Sequence, residues 1–283
     1  MGFKVVEPNN VEPPSQSASR VKKRTSKLKK TLIIGSGLAI VAGGGFGGAV
    51  AYNHLSVKNV SAAAQHKAAH QSIKIASNAT LNAQVSKLDY GSQNHGIPNA
   101  KQLTAYQNLP ETLYGRGYIA VPTQKGVTQA IDTLPINEGA SDKVLATGAG
   151  TPRSGEIMGQ GNFSVAAHNF GNHETYFSPM QSNIDVNATP KAYLTDGKRI
   201  YTYQFNKDSD AVSGREVVNY KQGSVLDNSV GKGQAILTMI TCDEPGLFTL
   251  HPENRLLLRA HLVDSVPVAQ ATATEQDLFP QIF

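Results

Sequence analysis

One cysteine, Cys242, occurs in the 283 residues, so the chain cannot form an internal disulfide. It ends the apolar and β-branched run QAILTMITC, and the following Asp243-Glu244-Pro245-Gly246 cannot continue a strand. The thiol is therefore predicted at the end of a buried strand, on the rim of the fold. A free cysteine is most often a small buried hydrophobic residue, whereas a thiol at a strand end also suits a nucleophile, and both interpretations stay open.

Two further residues stand at strand ends with side chains that a nucleophilic thiol needs. Such a thiol requires a group that exchanges its proton and a donor that stabilises the oxyanion formed on the attacked carbonyl. His168 ends the run NFSVAAH, and Arg255 begins the run RLLLRAHLV. Each is by itself more often an ordinary surface residue. If the strands of Cys242 and Arg255 are antiparallel neighbours, both residues lie on one rim, and the three together indicate acyl-transfer chemistry.

The elements that must position these residues are short strands. Between residues 113 and 267, runs of β-branched and aromatic residues alternate with Gly, Pro, Asn and Asp, and a helical pattern is present only around residues 139–146. Asp196-Gly197 lies between KAYLT and KRIYTYQF, which predicts a β-hairpin. About eight such strands favour an all-β fold, an antiparallel barrel or sandwich, as the catalytic domain.

The basic charge of the chain belongs to its N-terminal tail. The formal net charge is +5, but residues 1–30 hold eight Lys/Arg against two Glu (8 − 2 = +6). The remaining residues hold 18 basic and 19 acidic side chains (18 − 19 = −1). A nucleic-acid partner needs positive charge on a folded face, so this distribution argues against nucleic-acid binding.

A membrane anchor is predicted directly after this tail. Residues 31–52, TLIIGSGLAIVAGGGFGGAVAY, contain no charged side chain and match the roughly 20 residues of a helix that crosses a bilayer. The preceding positive charge predicts a single-pass protein with residues 1–30 in the cytoplasm and the catalytic domain outside the cell. A cleaved signal peptide ending at Ala49-Val50-Ala51 is the competing interpretation. Gly43-xxx-Gly47 is compatible with a helix homodimer, or with small residues in a monomeric span.

The segments that flank the catalytic domain are polar. Residues 53–112 are rich in Ala, Gln, Asn, Ser and Lys and are predicted to form a partly helical extracellular stalk. Within it His66 and His70 have the spacing of a metal-binding pair, but no third ligand is evident, so a solvated helix face is preferred. Residues 268–283 are expected to form a loosely held C-terminal tail.

The segments around Cys242, His168 and Arg255 resemble those of one family. TMITC at 238–242 matches the pattern T-L-x-T-C with Met for Leu, a change that conserves volume. NFSVAAH and ENRLL match the segments that carry the family's histidine and arginine. On these motifs, and on VLATGAGT, TYFSPM and YLTDGKRIY, the chain resembles the class A (housekeeping) sortases, cysteine transpeptidases of Gram-positive cell surfaces.

The resemblance implies a closed eight-stranded β-barrel of the sortase type, with short helices, preceded by the transmembrane helix. It implies that Cys242 attacks the Thr carbonyl of an LPXTG-type sorting signal on a secreted protein and forms a thioester. An amine of a peptidoglycan precursor, lipid II in type, would resolve the thioester. His168 would move the protons, Arg255 would donate to the oxyanion and the substrate backbone, and Ala167 and Thr241 would contact the substrate.

The resemblance implies no cofactor. Some sortases bind calcium through carboxylates on the loop before the histidine strand, but TPRSGEIMGQGN offers only Glu156, so no metal is expected. Three alternatives remain. The first is a pilin-polymerising sortase with a lysine acceptor, although no clear lid segment is visible between stalk and barrel. The others are a hydrolytic cysteine protease and a non-enzymatic, membrane-anchored β-barrel that only binds ligands.

Overall fold

The computed structural model describes residues 55–91, 96–243 and 252–283. In this part of the chain the helices are α1 (55–70), α2 (Asn78–Gln84), α3 (Ala100–Gln107), α4 (Asp142–Thr147) and α5 (Ala273–Leu278). The strands are β1 (Gly115–Val121), β2 (Ile131–Glu138), β3 (Ala149–Thr151), β4 (Asn162–Ala166), β5 (Lys191–Thr195), β6 (Arg199–Phe205), β7 (Arg215–Asn219), β8 (Ile236–Cys242) and β9 (Asn254–Pro267).

Eight of these strands form a closed barrel. Their order is β6-β5-β1-β2-β3-β4-β8-β9, and β9 pairs again with β6 to close the ring. The length of β9 makes this possible, because residues 260–267 pair with β6 while residues 254–258 pair with β7 on the same edge. Most pairs are antiparallel, but β4 runs parallel to β8. The closed eight-stranded barrel with short helices is therefore confirmed.

The interior of the barrel is filled by the apolar runs that the sequence predicts as strands. In β8 every side chain from Ile236 to Met239 is buried, which accounts for its continuous apolar character. Burial of one such large side chain stabilises the fold by about 1.5–3 kcal/mol. The core also contains the fully buried Ile119, Leu134, Phe163, Val165, Leu194, Tyr203, Phe205 and Leu258.

The hairpin at Asp196-Gly197 is confirmed, since β5 and β6 pair in antiparallel register around it. The Asp196 carboxylate accepts hydrogen bonds from the backbone N–H of Lys198 (2.9 Å) and Arg199 (2.8 Å). Gly197 has a φ of +77°, a conformation that favours glycine. The helix expected around residues 139–146 is α4. Strand β3 was not predicted, because its three residues Ala-Gly-Thr are too few and too small to produce a pattern.

The segment predicted as a stalk packs against the barrel, which corrects the boundary expected at residue 112. Val57 of α1 and Leu103 of α3 belong to the barrel's own apolar core, and Leu103 is fully buried. The hydroxyl groups of Ser61 and Thr175 are 2.9 Å apart, and the backbone N–H of Ile73 donates to the Tyr118 hydroxyl (2.8 Å). Only some apolar residues of this polar segment pack on the barrel, so composition alone did not reveal the docking.

The C-terminal segment is also docked, contrary to the expected loose tail. Phe279 is fully buried in a second apolar cluster with Tyr118, Ala120 and Ile200. The hydroxyl of Thr133 donates to the carbonyl of Leu278 at 2.6 Å. Phe279, with partly buried apolar neighbours such as Leu278 and Ile282, therefore anchors this largely polar segment to the barrel wall.

The basic tail 1–30 and the predicted anchor 31–52 lie outside the described residues. Among the helices that are described, none has the length and apolar character needed to cross a bilayer. The orientation expected from the basic tail therefore stays a prediction.

Candidate active site

The ends of three neighbouring strands bring Cys242, His168 and Arg255 to one rim of the barrel. Strands β4 and β8 are parallel, so they end at the same rim, and the backbone N–H of Ala167, directly after β4, donates to the Ile240 carbonyl (3.1 Å). Strand β9 is antiparallel to β8, and its Arg255 is the register partner of Cys242. All three residues line one cavity of about 290 Å³.

The remainder of this cavity is mainly apolar. Its walls include Leu145, Pro152, Val218, Ile240 and Leu257. Such a cavity suits an extended peptide segment with apolar side chains, while the polar groups at the rim can act on its backbone.

The docked N-terminal segment contributes one wall that the sequence analysis missed. Asp89, Tyr90 and Gly91 line the same cavity as Cys242. The Asp89 carbonyl accepts a hydrogen bond from the backbone N–H of Ala140 (2.7 Å), and the Tyr90 hydroxyl donates to Glu138 (3.0 Å). Glu138 is in turn paired with the buried Arg116 at 2.6 Å. The only sequence signal was an aromatic residue before Gly91 in a segment read as a linker.

Cys242 is half-buried as a residue. Burial raises its pKa, the nearby positive charge of Arg255 lowers it in part, and Asp243 raises it further. The net direction is upward, so at neutral pH the resting side chain is the protonated thiol. A proton acceptor is therefore needed before or during any attack by sulfur.

His168 is the candidate for such an acceptor, because it lines the same cavity. Its side chain is 9% exposed, and burial, followed by the charge of Arg255, lowers its pKa to about 4. The imidazole is therefore neutral at pH 7. Its Nε2 is buried and has no hydrogen-bond partner within the described residues. The ring lies against Phe170, with centroids 5.2 Å apart, which fixes one of its faces.

Arg255 is held at the cavity by contacts on two sides. Its Nη1 donates to the carbonyls of Pro252 (2.8 Å) and Asn254 (3.0 Å), and its guanidinium carbon lies 5.7 Å from the centre of the Tyr220 ring. Tyr220 follows β7 and also lines the cavity. Tyr220 was not predicted as a site residue, because its ring meets Arg255 only through the pairing of β7 with β9.

The two predicted substrate contacts, Thr241 and Ala167, are joined by a hydrogen bond. The Thr241 hydroxyl donates to the Ala167 carbonyl at 2.8 Å, and Thr241 is 2% exposed. Both residues line the cavity. In this geometry the hydroxyl proton joins β8 to the end of β4, so the observed role of Thr241 is structural, and its contact with substrate stays a prediction.

The residues considered for metal binding lie elsewhere. The Glu156 carboxylate accepts hydrogen bonds from the backbone N–H and the hydroxyl of Ser164, both at 2.7 Å, and burial raises its pKa to about 7. His66 and His70 lie on α1 with ring centroids 4.5 Å apart. Within the described ranges no group of three or more His, Cys, Asp or Glu side chains is arranged to hold a metal ion.

Comparison with known proteins gives matches to one family. The sortase domain family matches residues 127–263. Sortase A of Streptococcus agalactiae is 29% identical over 186 residues, which cover 64% of this chain and 68% of that protein. Sortase A of Listeria monocytogenes is 32% identical over 130 residues, 46% of this chain and 50% of that protein, so the chain spans about half the length of this relative. The solved structure of Listeria monocytogenes sortase A shares 26% identity, covers 59% of this chain and 97% of that chain, and has a TM-score of 0.46.

Proposed function

The chain carries a domain of the sortase family, and on that premise we propose that it is a class A cysteine transpeptidase. It cleaves an LPXTG-type sorting signal between Thr and Gly and joins the released carbonyl to an amine of a peptidoglycan precursor. The observation that supports this proposal is that Cys242, His168 and Arg255 line a single, largely apolar cavity.

In the first half of the reaction, Cys242 attacks the carbonyl carbon of the Thr residue. The thiol proton passes to the neutral imidazole of His168 as the S–C bond forms. The carbonyl oxygen becomes an oxyanion, and the Arg255 guanidinium donates hydrogen bonds to it. When the C–N bond breaks, the imidazolium protonates the leaving Gly amine, and a thioester on Cys242 remains.

The second half reverses these proton movements. The acceptor amine attacks the thioester carbonyl, and His168 accepts the amine's proton. The C–S bond breaks and sulfur regains a proton from the imidazolium, which restores the neutral pair. Burial keeps the His168 imidazole neutral at pH 7, so it is free to accept a proton in both steps, but the lowered pKa also makes it a weaker base than an imidazole in water.

The partners and location belong to the same proposal. Secreted proteins with sorting signals would supply the acyl group, and a lipid II-type precursor would supply the amine. Residues 31–52 would anchor the chain in the cell membrane with the catalytic domain outside, and the glycines of that segment would allow a homodimer. Protease added to intact cells should remove the catalytic domain and spare residues 1–30, whereas a secreted form beginning near Tyr52 would replace the anchor with a signal peptide.

The alternative of pilin polymerisation has one structural observation in its favour. Segment Asp89–Gly91 lines the cavity, and pilin-type sortases carry an additional segment over their site. The two functions differ in the acceptor, which is a wall-precursor amine in one and a lysine side chain of a second protein in the other.

The deciding experiment follows the acyl group with the full-length protein in detergent. The protein is incubated with an LPXTG peptide alone, with a wall-peptide amine, or with a lysine-bearing pilin-type peptide, and the products are identified by mass spectrometry. We expect a thioester on Cys242 and transfer to the wall-peptide amine. Transfer only to lysine would favour pilin polymerisation, and release of the free acid alone would favour a hydrolytic protease. Absence of any cleavage would favour the non-enzymatic β-barrel that only binds ligands.

A further inference from the structure

Side chains, rather than backbone pairing, connect the strand of His168 to the strand of Cys242 at the rim. The hydrogen bond from the Ala167 backbone N–H to the Ile240 carbonyl (3.1 Å) is the final backbone bond between these two strand ends within the described residues. Beyond it, the Thr241 hydroxyl donates to the Ala167 carbonyl, and Asn169 Nδ2 donates to the Cys242 carbonyl (3.0 Å). The relative position of thiol and imidazole therefore depends on these two side chains.

The amide of Asn169 is fixed in a single orientation. The side chain is fully buried, and its Nδ2 also donates to Gln181 Oε1 (3.1 Å). Its Oδ1 accepts a hydrogen bond from the backbone N–H of Gly171 (2.9 Å). Both N–H groups and the oxygen thus have partners, so a flipped amide would lose all three hydrogen bonds.

Gln181 supports this amide from the other side. Its Nε2 donates to the Asp243 carboxylate (3.3 Å), so Gln181 contacts the residue after Cys242 as well as Asn169. The carbonyl of Gln181 accepts a hydrogen bond from Arg215 Nη2 (2.9 Å). On the opposite edge of β8, the backbone N–H of Asp243 donates to the Asn254 carbonyl (3.1 Å). The end of β8 is therefore held on both sides at the point where the chain leaves the barrel.

We propose that Asn169 is a positioning residue that sets the Cys242 thiol against the His168 imidazole. Asn169 contacts the carbonyl of Cys242 and not its sulfur, so it acts through the backbone. Fixing that carbonyl fixes the peptide plane after Cys242. The direction of the Cα–Cβ bond of Cys242, which carries the thiol, is thereby fixed as well. Misplacement of a reacting group by about 1 Å can cost about 10²-fold in rate. The catalytic consequence rests on the proposed transpeptidase function.

The test compares Asn169→Ala with Asn183→Ala in the full-length protein. Asn183 is the matched control, because it lies in the same loop region and donates to the His173 carbonyl (3.0 Å), with no hydrogen bond to β8. We expect Asn169→Ala to lower kcat by about 10- to 100-fold with KM changed less than about twofold, because the thiol is misplaced while the cavity remains. Asn183→Ala should retain wild-type kinetics, and thermal melting should show that both variants are folded.

A second readout does not depend on transpeptidation. Alkylation of Cys242 by iodoacetamide at pH 7 should be slowed by His168→Gln in the wild-type background, because the imidazole assists removal of the thiol proton. In the Asn169→Ala background the same substitution should have little effect, since the two groups are no longer aligned. A purely structural role for Asn169 would leave the coupling between His168 and Cys242 unchanged.

The outcomes separate this inference from the proposed function. Intact coupling in Asn169→Ala, or an equal loss of kcat in Asn183→Ala, would overturn the positioning role. If Asn169→Ala does not fold, Gln181→Leu provides the same two measurements, with an expected loss of about 3- to 10-fold because only the support of the amide is removed. If the wild type transfers no sorting peptide, the proposed function fails, while the alkylation experiment still decides whether Asn169 aligns the pair.

Discussion

Two of the clefts that histidines line in the described part of the chain differ in size and in chemistry. The larger, about 740 Å³, lies where α1 and the segment around α5 meet the barrel, and His66 and His70 line it. The smaller, about 290 Å³, lies at the rim and contains His168 with Cys242 and Arg255. The spacing of His66 and His70 on one helix face was the more familiar sequence pattern, yet the candidate active site is the smaller cleft.

Burial explains the difference between the two clefts. His66 and His70 are exposed on the surface of α1, where water solvates both rings. His168 is 9% exposed, and that environment favours its neutral form and lowers its pKa to about 4. The comparison teaches that cleft volume and histidine count are poor guides to catalysis. In the proposed mechanism the better guide is that a nucleophile, a proton acceptor and a hydrogen-bond donor line one cavity.

The largest effect should come from removing the nucleophile of the smaller cleft. Cys242→Ala is expected to abolish cleavage and transfer, and Cys242→Ser to be nearly as poor, because an alcohol forms its anion far less readily than a thiol. Both variants should keep the barrel, as checked by circular dichroism, since Cys242 lies at the rim. Retained transfer by Cys242→Ala, measured by mass spectrometry, would exclude Cys242 from the mechanism.

Substituting one histidine in each cleft tests the comparison directly. His168→Ala should lose about 10²–10⁴-fold in kcat/KM because the proton acceptor is lost. His70→Ala in the larger cleft and His173→Ala, close in sequence to His168, should keep wild-type activity. The comparison breaks down if His70→Ala is as damaging as His168→Ala in the same peptide-transfer assay.

Arg255→Lys should reduce kcat by about 10²–10³-fold, because lysine keeps the charge but lacks the planar set of donors. The control is Lys221→Ala, which removes an exposed cation 5.5 Å from the centre of the same Tyr220 ring and should be nearly silent. Arg259 is unsuitable as a control, because it is 4% exposed and paired with Glu216 at 2.5 Å, so its loss should destabilise the fold. Near-wild-type kinetics for Arg255→Lys would show that directional donation is not its role.

The smallest effect concerns the pH dependence of stability. The pKa of His168 is lowered from 6.5 to about 4, so the unfolded chain binds this proton more readily and the wild type loses stability as the pH falls through that interval. Between pH 7 and pH 4 the free energy of unfolding of the wild type should fall by about 3 kcal/mol more than that of His168→Gln. Urea denaturation at pH 7 and pH 4 measures this difference.

The control for this measurement is His66→Gln, which makes the same substitution at an exposed position of α1. Glu156 acts in the opposite direction, since its raised pKa means that its contribution is lost as the pH rises from 4.5 to about 7. Glu156 is present in every variant compared, so its effect cancels. Equal pH dependence of His168→Gln and the wild type would contradict the burial of His168 in its neutral form.

Docking of the flanking segments could not be predicted from composition. Residues 53–112 and 268–283 are polar on average, and only a few apolar residues, among them Val57, Leu103 and Phe279, hold them on the barrel. Whether such a residue is buried depends on a complementary surface formed by strands far away in the chain. Asp89–Gly91 form a wall of the cavity only because this segment is docked, so that wall could not be predicted from the sequence either.

The sequence by itself determined most of the strands, the hairpin at Asp196-Gly197 and the position of Cys242, His168 and Arg255 at strand ends. These features depend on residue patterns and turn residues within a few positions of each other, and such local preferences can be predicted from the sequence alone. Only the tertiary structure decided that the three strand ends meet in one cavity. It also decided that Arg255 lies against the Tyr220 ring, whereas Arg259 is buried and paired with Glu216. The hydrogen bond from Asn169 to the Cys242 carbonyl likewise depends on the fold. Those relations join residues distant in sequence, because the closed barrel sets which strands are neighbours and which side chains lose their contact with water.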